Sequence, residues 1–348
     1  MSAHFNFLMT YLSQQPALDK PIKQLPLSPQ QADNLPSLLT EVGKVASLPS
    51  IGRRFIEQRE RCGEHIALVA DDCQMSYVEL DQASNQMSHW LFAQGVKQGE
   101  TIGLCLTRKS DLIIAMLAVV KSGFNYVPLD SKLPQESMTD LIGLVQPRLI
   151  LSHQRTVESL ASELNNICRV IDSSNVKADI AQQPTEPALL NEDASVTSHL
   201  ILTSGSTGKP KAVEIQHTNV ISLIRWAEQE YDSKALARVL AGTAITFDLS
   251  IFEIFVPLCT GHCVVLVESP LSIIDRQIDI TLLNTVPSVA QALLDANAIP
   301  DSVNVINLAG EPLTNKLLNS LWCISNLRDL TGGLSKSQYL KMYYFDCP

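Results

Sequence analysis

From about Ser50 onward, short uninterrupted apolar runs alternate with longer runs of helical spacing, and nothing else in the chain constrains its fold as strongly. IALVA (66–70) precedes MSYVELDQASNQMSHWLFAQG, in which apolar residues recur at helical spacing from Val78 to Leu91 before Gly95 stops the run. TIGLCL (101–106) precedes SDLIIAMLAVVKSG, closed by Gly123. NYVPLD, RLILS (148–152), CRVID (168–172), SHLILTS, HCVVLVE and VNVINLAG read as further strands, with helix-like runs beginning at Asn219 and Ser288. Strands that are apolar on both faces and separated by helices require a mostly parallel sheet covered on both sides. The predicted fold class is α/β.

Two stretches depart from this pattern. Residues 1–45 hold a short amphipathic segment, Phe5 to Leu12, then a polar stretch with prolines at 16, 21, 26 and 29. Such composition suits an extended connector rather than a folded unit. Ser173 to Ser198, with Pro184 and Pro187, reads as a surface excursion.

The chain carries 36 acidic against 26 basic residues, a formal net charge of -10, and no Lys/Arg-rich stripe. That balance argues against nucleic-acid binding. No run of about 18 apolar residues suggests a membrane span, and MSAHFNFLMTYLSQQP lacks the basic start and apolar core of a signal peptide. A cytoplasmic location is expected. The eight cysteines (62, 73, 105, 168, 259, 263, 323 and 347) form no zinc spacing, and several sit in apolar runs, so reduced buried thiols are expected.

The strongest local signal is HLILTS (199–204) running straight into GSTGKPKAV. Two glycines and several hydroxyl side chains let the backbone turn tightly and aim donors at one point, as a polyphosphate requires. A P-loop would place Ser or Thr after Gly208-Lys209 and open a helix. Here Pro210 follows, the residue five before Gly208 is Thr203, and AVEIQ reads as a strand. A plain Gly/Ser hairpin loop is the remaining alternative.

SGSTGKPKAV resembles the signature loop of the acyl- and aminoacyl-adenylate-forming enzymes, in particular the adenylation domains of nonribosomal peptide synthetases. MSYVEL (75–80), VKSGFNYVPLD (120–130), FDLSIFEIF (247–255), NTVPS (284–288) and LAGEPLT (308–314) resemble further motifs of that family, in the same order. The resemblance covers roughly Phe5 to Arg328. It extends to the Pro-rich leader, which is similar to a condensation–adenylation connector.

The resemblance implies the large N-terminal lobe of the adenylate-forming fold over residues 46–328, and ATP as a substrate. Thr203, Ser204, Gly205, Ser206, Thr207, Gly208, Lys209 and Lys211 would hold the β- and γ-phosphates, and Gly310, Glu311 and Pro312 would border the adenine. Asp248, at a partly buried site, would pair with the substrate's α-ammonium group. Read from the residues alone, Asp248 with Ser250 before the apolar run IFEIF is better taken as a helix N-cap, and only the flanking motifs favour the binding role.

The side-chain pocket would be lined by Leu249, Phe252, Asn284, Asn307 and Ala309, a set suited to small amino acids: alanine first, then glycine or serine. His217 invites a reading as a base, but a structural histidine at a helix start fits better. Mg2+ and a phosphopantetheine-bearing carrier domain, with condensation domains, are the implied cofactor and partners.

Beyond Arg328 the family would continue with a strand into a motif bearing a Mg2+-binding Glu, and later a lobe with a catalytic Lys. DLTGGLSKSQYLKMYYFDCP (329–348) does not match that pattern. An aberrant tail, a frameshift or early stop near Asp329, a missing edge strand and impaired adenylation are therefore expected, so no catalytic side chain and no metal ligand is assigned within the chain. A non-catalytic nucleotide- or amino-acid-binding remnant, or an interaction role, is the alternative.

Overall fold

The computed structural model of the chain describes residues 48–153, 168–204, 210–324, 327 and 329–332. The N-terminal connector and residues 333–348 lie outside the described residues. Two sheets organise the remainder. The first contains β1 (Ile66–Val69), β2 (Gln74–Ser76), β9 (Arg238–Ala241), β10 (Cys263–Leu266), β11 (Leu282–Thr285), β12 (Val305–Leu308) and β13 (Asp329–Gly332), in the order β13-β12-β11-β9-β10-β1-β2. All neighbours are parallel except the β1–β2 hairpin. The second contains β3 (Thr101–Cys105), β4 (Asn125–Pro128), β5 (Leu149–Ser152), β6 (Arg169–Asp172), β7 (Thr197–Ser204) and β8 (Pro210–Gln216), in the order β6-β5-β3-β4-β7-β8. Only the β7–β8 pair is antiparallel. The mostly parallel α/β class follows from the sequence pattern.

The helices are α1 (Ile51–Cys62), α2 (Tyr77–Ala93), α3 (Ser110–Ser122), α4 (Gln135–Val145), α5 (Lys177–Ala181), α6 (His217–Glu230), α7 (Ser233–Leu236), α8 (Leu249–Thr260), α9 (Pro287–Asp295) and α10 (Asn315–Trp322). Local chemistry sets their ends. At the start of α2, Ser76 Oγ accepts from Glu79 N–H at 3.2 Å while Glu79 accepts from Ser76 N–H at 2.7 Å, a reciprocal capping pair. Gly123 ends α3 in the left-handed region at φ 74°, where a side chain would be strained.

Helices α3 and α8 are apolar almost all round because both lie inside the molecule. α3 packs on β3, β4 and β7 of the second sheet, α8 packs on β9 and β10 of the first, and α1 touches both helices. On the outer face of the first sheet, Leu293 of α9 and Leu317 and Leu321 of α10 close a second core with Leu283 and Ile306. On the second, Met138 and Ile142 of α4 pack with Val127 and Ile150. The layers run helix, sheet, helix, sheet, helix. Ile254, Phe255 and Leu258 of α8 are fully buried, each contributing roughly 1.5–3 kcal/mol of burial.

Two polar features tie the middle layer together. The Tyr77 hydroxyl lies against the carbonyls of Pro257, Leu258 and His262 at 3.1, 3.2 and 2.8 Å, where the end of α8 leaves acceptors free. Buried Lys121 of α3 pairs with Asp81 and donates to Ser84 Oγ at 3.0 Å and Asn85 Oδ1 at 2.5 Å.

Where the sequence predicts a missing strand after Arg328, β13 pairs in parallel with β12, Asn307 opposite Thr331. The crossover through α10 brings this segment back beside β12, so the edge that was expected to be open is paired.

Candidate active site

In open parallel sheets, ligands gather beyond the carboxyl ends of the strands, and that is where the candidate residues fall. β7 and β8 run antiparallel with Thr203 opposite Lys211 and Ser204 opposite Pro210, so they present the two ends of the glycine-rich loop side by side. Thr203 and Lys211 are exposed there. Gly205, Ser206, Thr207, Gly208 and Lys209 lie outside the described residues. The loop is followed by a strand, as read from AVEIQ, rather than by the helix a P-loop opens.

Asp248 stands at the head of α8 with φ -59° and ψ -31°, and its carboxylate makes no capping hydrogen bond. The N-cap reading therefore fails for its side chain; only its backbone carbonyl serves the helix, accepting from Ile251 N–H at 2.9 Å. The expected partial burial is corrected too. Asp248 is exposed, because Ala244 to Asp248 turn outward past the edge of the sheet, leaving the neighbouring Phe247 63% exposed as well.

One turn along α8, Phe252 is buried and meets Tyr231 edge-on, with ring centroids 5.9 Å apart, and Trp226 at 6.4 Å. The Tyr231 hydroxyl donates to Asn307 Oδ1 at 3.2 Å, and Asn307 Nδ2 donates to Asn284 Oδ1 at 2.8 Å. β11 and β12 place these two asparagines directly opposite each other. Asn284 is buried, and its Nδ2 finds no partner among the described residues. Three of the predicted pocket positions thus form one connected chain, linked through Tyr231, which carries no local sequence signal. Leu249 is half-buried and Ala309 is exposed at the rim.

After β12, Gly310 turns the chain at φ 84°. The Glu311 carboxylate accepts from both the N–H and the hydroxyl of Ser288, each at 2.8 Å, at the start of α9. This is the favourable end of the helix dipole for an anion. Pro312 is exposed beside it. With Glu311 engaged on α9, a surface bordering adenine would come from the backbone of 310–312.

Sequence patterns also missed two groups beneath this rim. Glu253, fully buried on α8, accepts from Gly242 N–H at 3.1 Å, Thr243 N–H at 3.0 Å and Thr243 Oγ1 at 2.7 Å. Burial pushes its carboxyl up to about 7 against the pull of these donors and of Arg108. Arg108, in the turn after β3, donates to the carbonyls of Val267, Thr243 and Ala241 at 2.6, 2.5 and 2.6 Å. The signal for Glu253 was a carboxylate embedded in the apolar run IFEIF. Arg108 offered none.

His217 is structural. It is buried at the first residue of α6, where Nδ1 accepts from Ile51 N–H at 3.2 Å, and burial lowers its pKa to about 4. Among the described residues every cysteine is free, and no group of three or more His, Cys, Asp or Glu is gathered to hold a metal. Among them also, no helix is long and apolar enough to cross a membrane.

The ordered motifs and the two-sheet lobe agree with a direct comparison: a family model described as AMP-binding enzyme matches residues 55–331. The chain belongs to the AMP-binding enzyme family. It is 38% identical over 277 residues to one component of the linear gramicidin synthase of Brevibacillus parabrevis, covering 79% of this chain and 5% of that protein. It is 36% identical over 298 residues to the AMB antimetabolite synthetase AmbB of Pseudomonas aeruginosa, covering 85% of this chain and 23% of that one. The chain therefore spans a small part of the length of these relatives.

Among solved structures, it superposes on the AMPPNP-bound form of the nonribosomal peptide synthetase FmoA3 with a TM-score of 0.72 at 20% identity, over 94% of this chain and 36% of that one. The N-terminal subdomain of Klebsiella oxytoca NpsA gives 0.69 at 22% identity, over 81% and 71%. These likenesses establish the fold, the N-terminal lobe of adenylate-forming enzymes.

Proposed function

We propose that this chain is the amino-acid- and ATP-binding lobe of a nonribosomal peptide synthetase adenylation unit, selecting a small amino acid, alanine first. A carboxylate oxygen of the amino acid attacks the α-phosphorus of ATP. The bond from that phosphorus to the β-phosphate oxygen breaks, and aminoacyl-AMP and pyrophosphate result.

The observation that carries this reading is Asp248. Its carboxylate is exposed at the head of α8 and unspent on capping, one helical turn from Phe252 and on the same rim as the Asn284–Asn307 pair. An α-ammonium group there gains a charge-assisted contact that a simple acid lacks. Phe252 reduces the room for the substrate side chain. Serine, with a hydroxyl to meet Asn284 Nδ2, is the chief competitor of alanine.

Lys209 and Lys211 supply positive charge for the β- and γ-phosphates, whose developing charge must be neutralised as pyrophosphate departs. Mg2+ accompanies ATP in the family, but the described residues gather no carboxylate cluster for it, and it carries no step in this scheme. In the same reading a phosphopantetheine-bearing carrier domain takes the product onward.

The test is amino-acid-dependent ATP–pyrophosphate exchange across the twenty amino acids, with calorimetric ATP binding alongside. Exchange led by alanine supports the reading. ATP binding without exchange retires the adenylation reading and leaves a non-catalytic binding lobe; absence of both binding and exchange retires the binding reading as well.

A further inference from the structure

The two sheets hold different halves of the proposed reaction. The second sheet carries the phosphate loop at the end of β7; the first carries Asp248, Asn284 and Asn307 at the ends of β9, β11 and β12. The reacting oxygen must lie roughly 3–3.5 Å from the α-phosphorus and in line with the departing group. Each half can bind its own ligand perfectly well and still fail at that distance. Something must set one sheet against the other at this rim.

We infer that Arg108 is a positioning residue that aligns the amino-acid half of the site with the ATP-phosphate half. The inference rests on the adenylation reading above. Arg108 belongs to the second sheet, in the turn after β3, on the same carboxyl edge as the phosphate loop and separated from β7 only by β4. Its guanidinium reaches across to the carboxyl edge of the first sheet. There it takes the carbonyls of Ala241 at the end of β9, Thr243 just beyond it, and Val267 just beyond β10. A planar fork can meet several fixed acceptors at once; a lysine ammonium on a flexible stem cannot reproduce that geometry.

The peptide that Arg108 holds is gripped from its other side as well. Glu253 takes the N–H and hydroxyl of Thr243 and the N–H of Gly242. Gly242 itself has no slack, since a Cβ there would sit 2.8 Å from Pro270 Cδ. The chain therefore leaves this clamp at a fixed point and reaches Asp248 five residues later. Whatever Arg108 does to Thr243 is passed to the carboxylate that receives the ammonium group. Loss of the fork leaves both ligand sites whole but lets them shift relative to each other, and a misplacement of about 1 Å can cost on the order of 100-fold in rate.

The experiment is steady-state ATP–pyrophosphate exchange on the full chain and on Arg108→Lys, with KM for alanine and ATP separated from kcat. The expected result is a fall in kcat of about tenfold or more, with each KM within about threefold of the parent. A clamp that serves stability alone would lower Tm and leave kcat unchanged in the folded fraction, or would raise both KM values together; either outcome overturns the inference while exchange by the parent upholds the adenylation reading. If the parent chain exchanges with no amino acid, both fall. If Arg108→Lys does not fold, Glu253→Gln loosens the same peptide from its other side and carries the same expectation.

Discussion

A proton forced onto His217 should unfold this protein more readily, by an amount that its surroundings allow to be worked out. The imidazole is fully buried and uses Nδ1 as an acceptor for Ile51 N–H. Protonation would turn that acceptor into a donor facing a donor and place a charge where burial opposes it. The folded-state pKa is accordingly lowered to about 4 from 6.5.

Because the folded value lies below the unfolded one, the unfolded chain takes the proton first. The stability from this residue is complete above about pH 6.5 and is lost as pH falls toward 4. Between about pH 7.5 and pH 4.5 the loss is about 2–3 kcal/mol. His199, lowered to about 3 by burial, acts in the same direction. Glu253, raised to about 7, acts in the opposite one.

The informative quantity is thus a difference between two proteins. His217→Asn keeps an oxygen near the Nδ1 position but does not titrate, so its packing penalty should not depend on pH. Urea unfolding of both, followed by fluorescence of the buried Trp90, should show the parent's advantage shrinking by about 2–3 kcal/mol from pH 7.5 to 4.5. Curves that stay parallel within about 0.5 kcal/mol would refute the burial argument.

Asp248→Asn should weaken alanine binding by about tenfold to a hundredfold in calorimetry. Because the carboxylate caps nothing, the urea midpoint should barely move. Tyr77→Phe strands the carbonyls at the end of α8 and should cost about 1–3 kcal/mol in urea unfolding, with ATP affinity unchanged. Lys121→Met leaves buried Asp81 with only Arg59 at 3.5 Å as a cationic neighbour and should cost about 3–5 kcal/mol; adding Asp81→Asn should restore part of that loss.

Sequence and structure agree best where one local rule decides the outcome. The run closed by Gly123 is helix α3, and the strands at 66–70, 101–106 and 148–152 lie within a residue or so of their reading. The helix read from Asn219 begins two residues earlier, at His217, where Gln216 and Asn219 cap each other. Helix α4 was not legible. Gly143 interrupts its apolar run, and it ends on Gln146 in the left-handed region at φ 50° rather than on a glycine.

At the candidate site, motif order singled out Asp248, Phe252, Asn284 and Asn307, but their exposure and partners depend on distant chain. Asp248 is set by how residues 242–247 leave the sheet. Tyr231 reaches Asn307 across 76 positions, and Arg108 reaches Val267 across 159. No periodicity or spacing encodes contacts of that separation.

The pairing of Asn284 with Asn307 depends on matching positions in two parallel four-residue strands. Side chains alternate faces along a strand, so one residue inserted within 305–306 would turn the amide toward the opposite layer and bring an apolar neighbour to the rim. The same insertion among 297–302, between α9 and β12, would be taken up by the loop. Length changes in natural or designed variants should therefore sort sharply: those in the connections preserve substrate choice, and those a few residues further on abolish it.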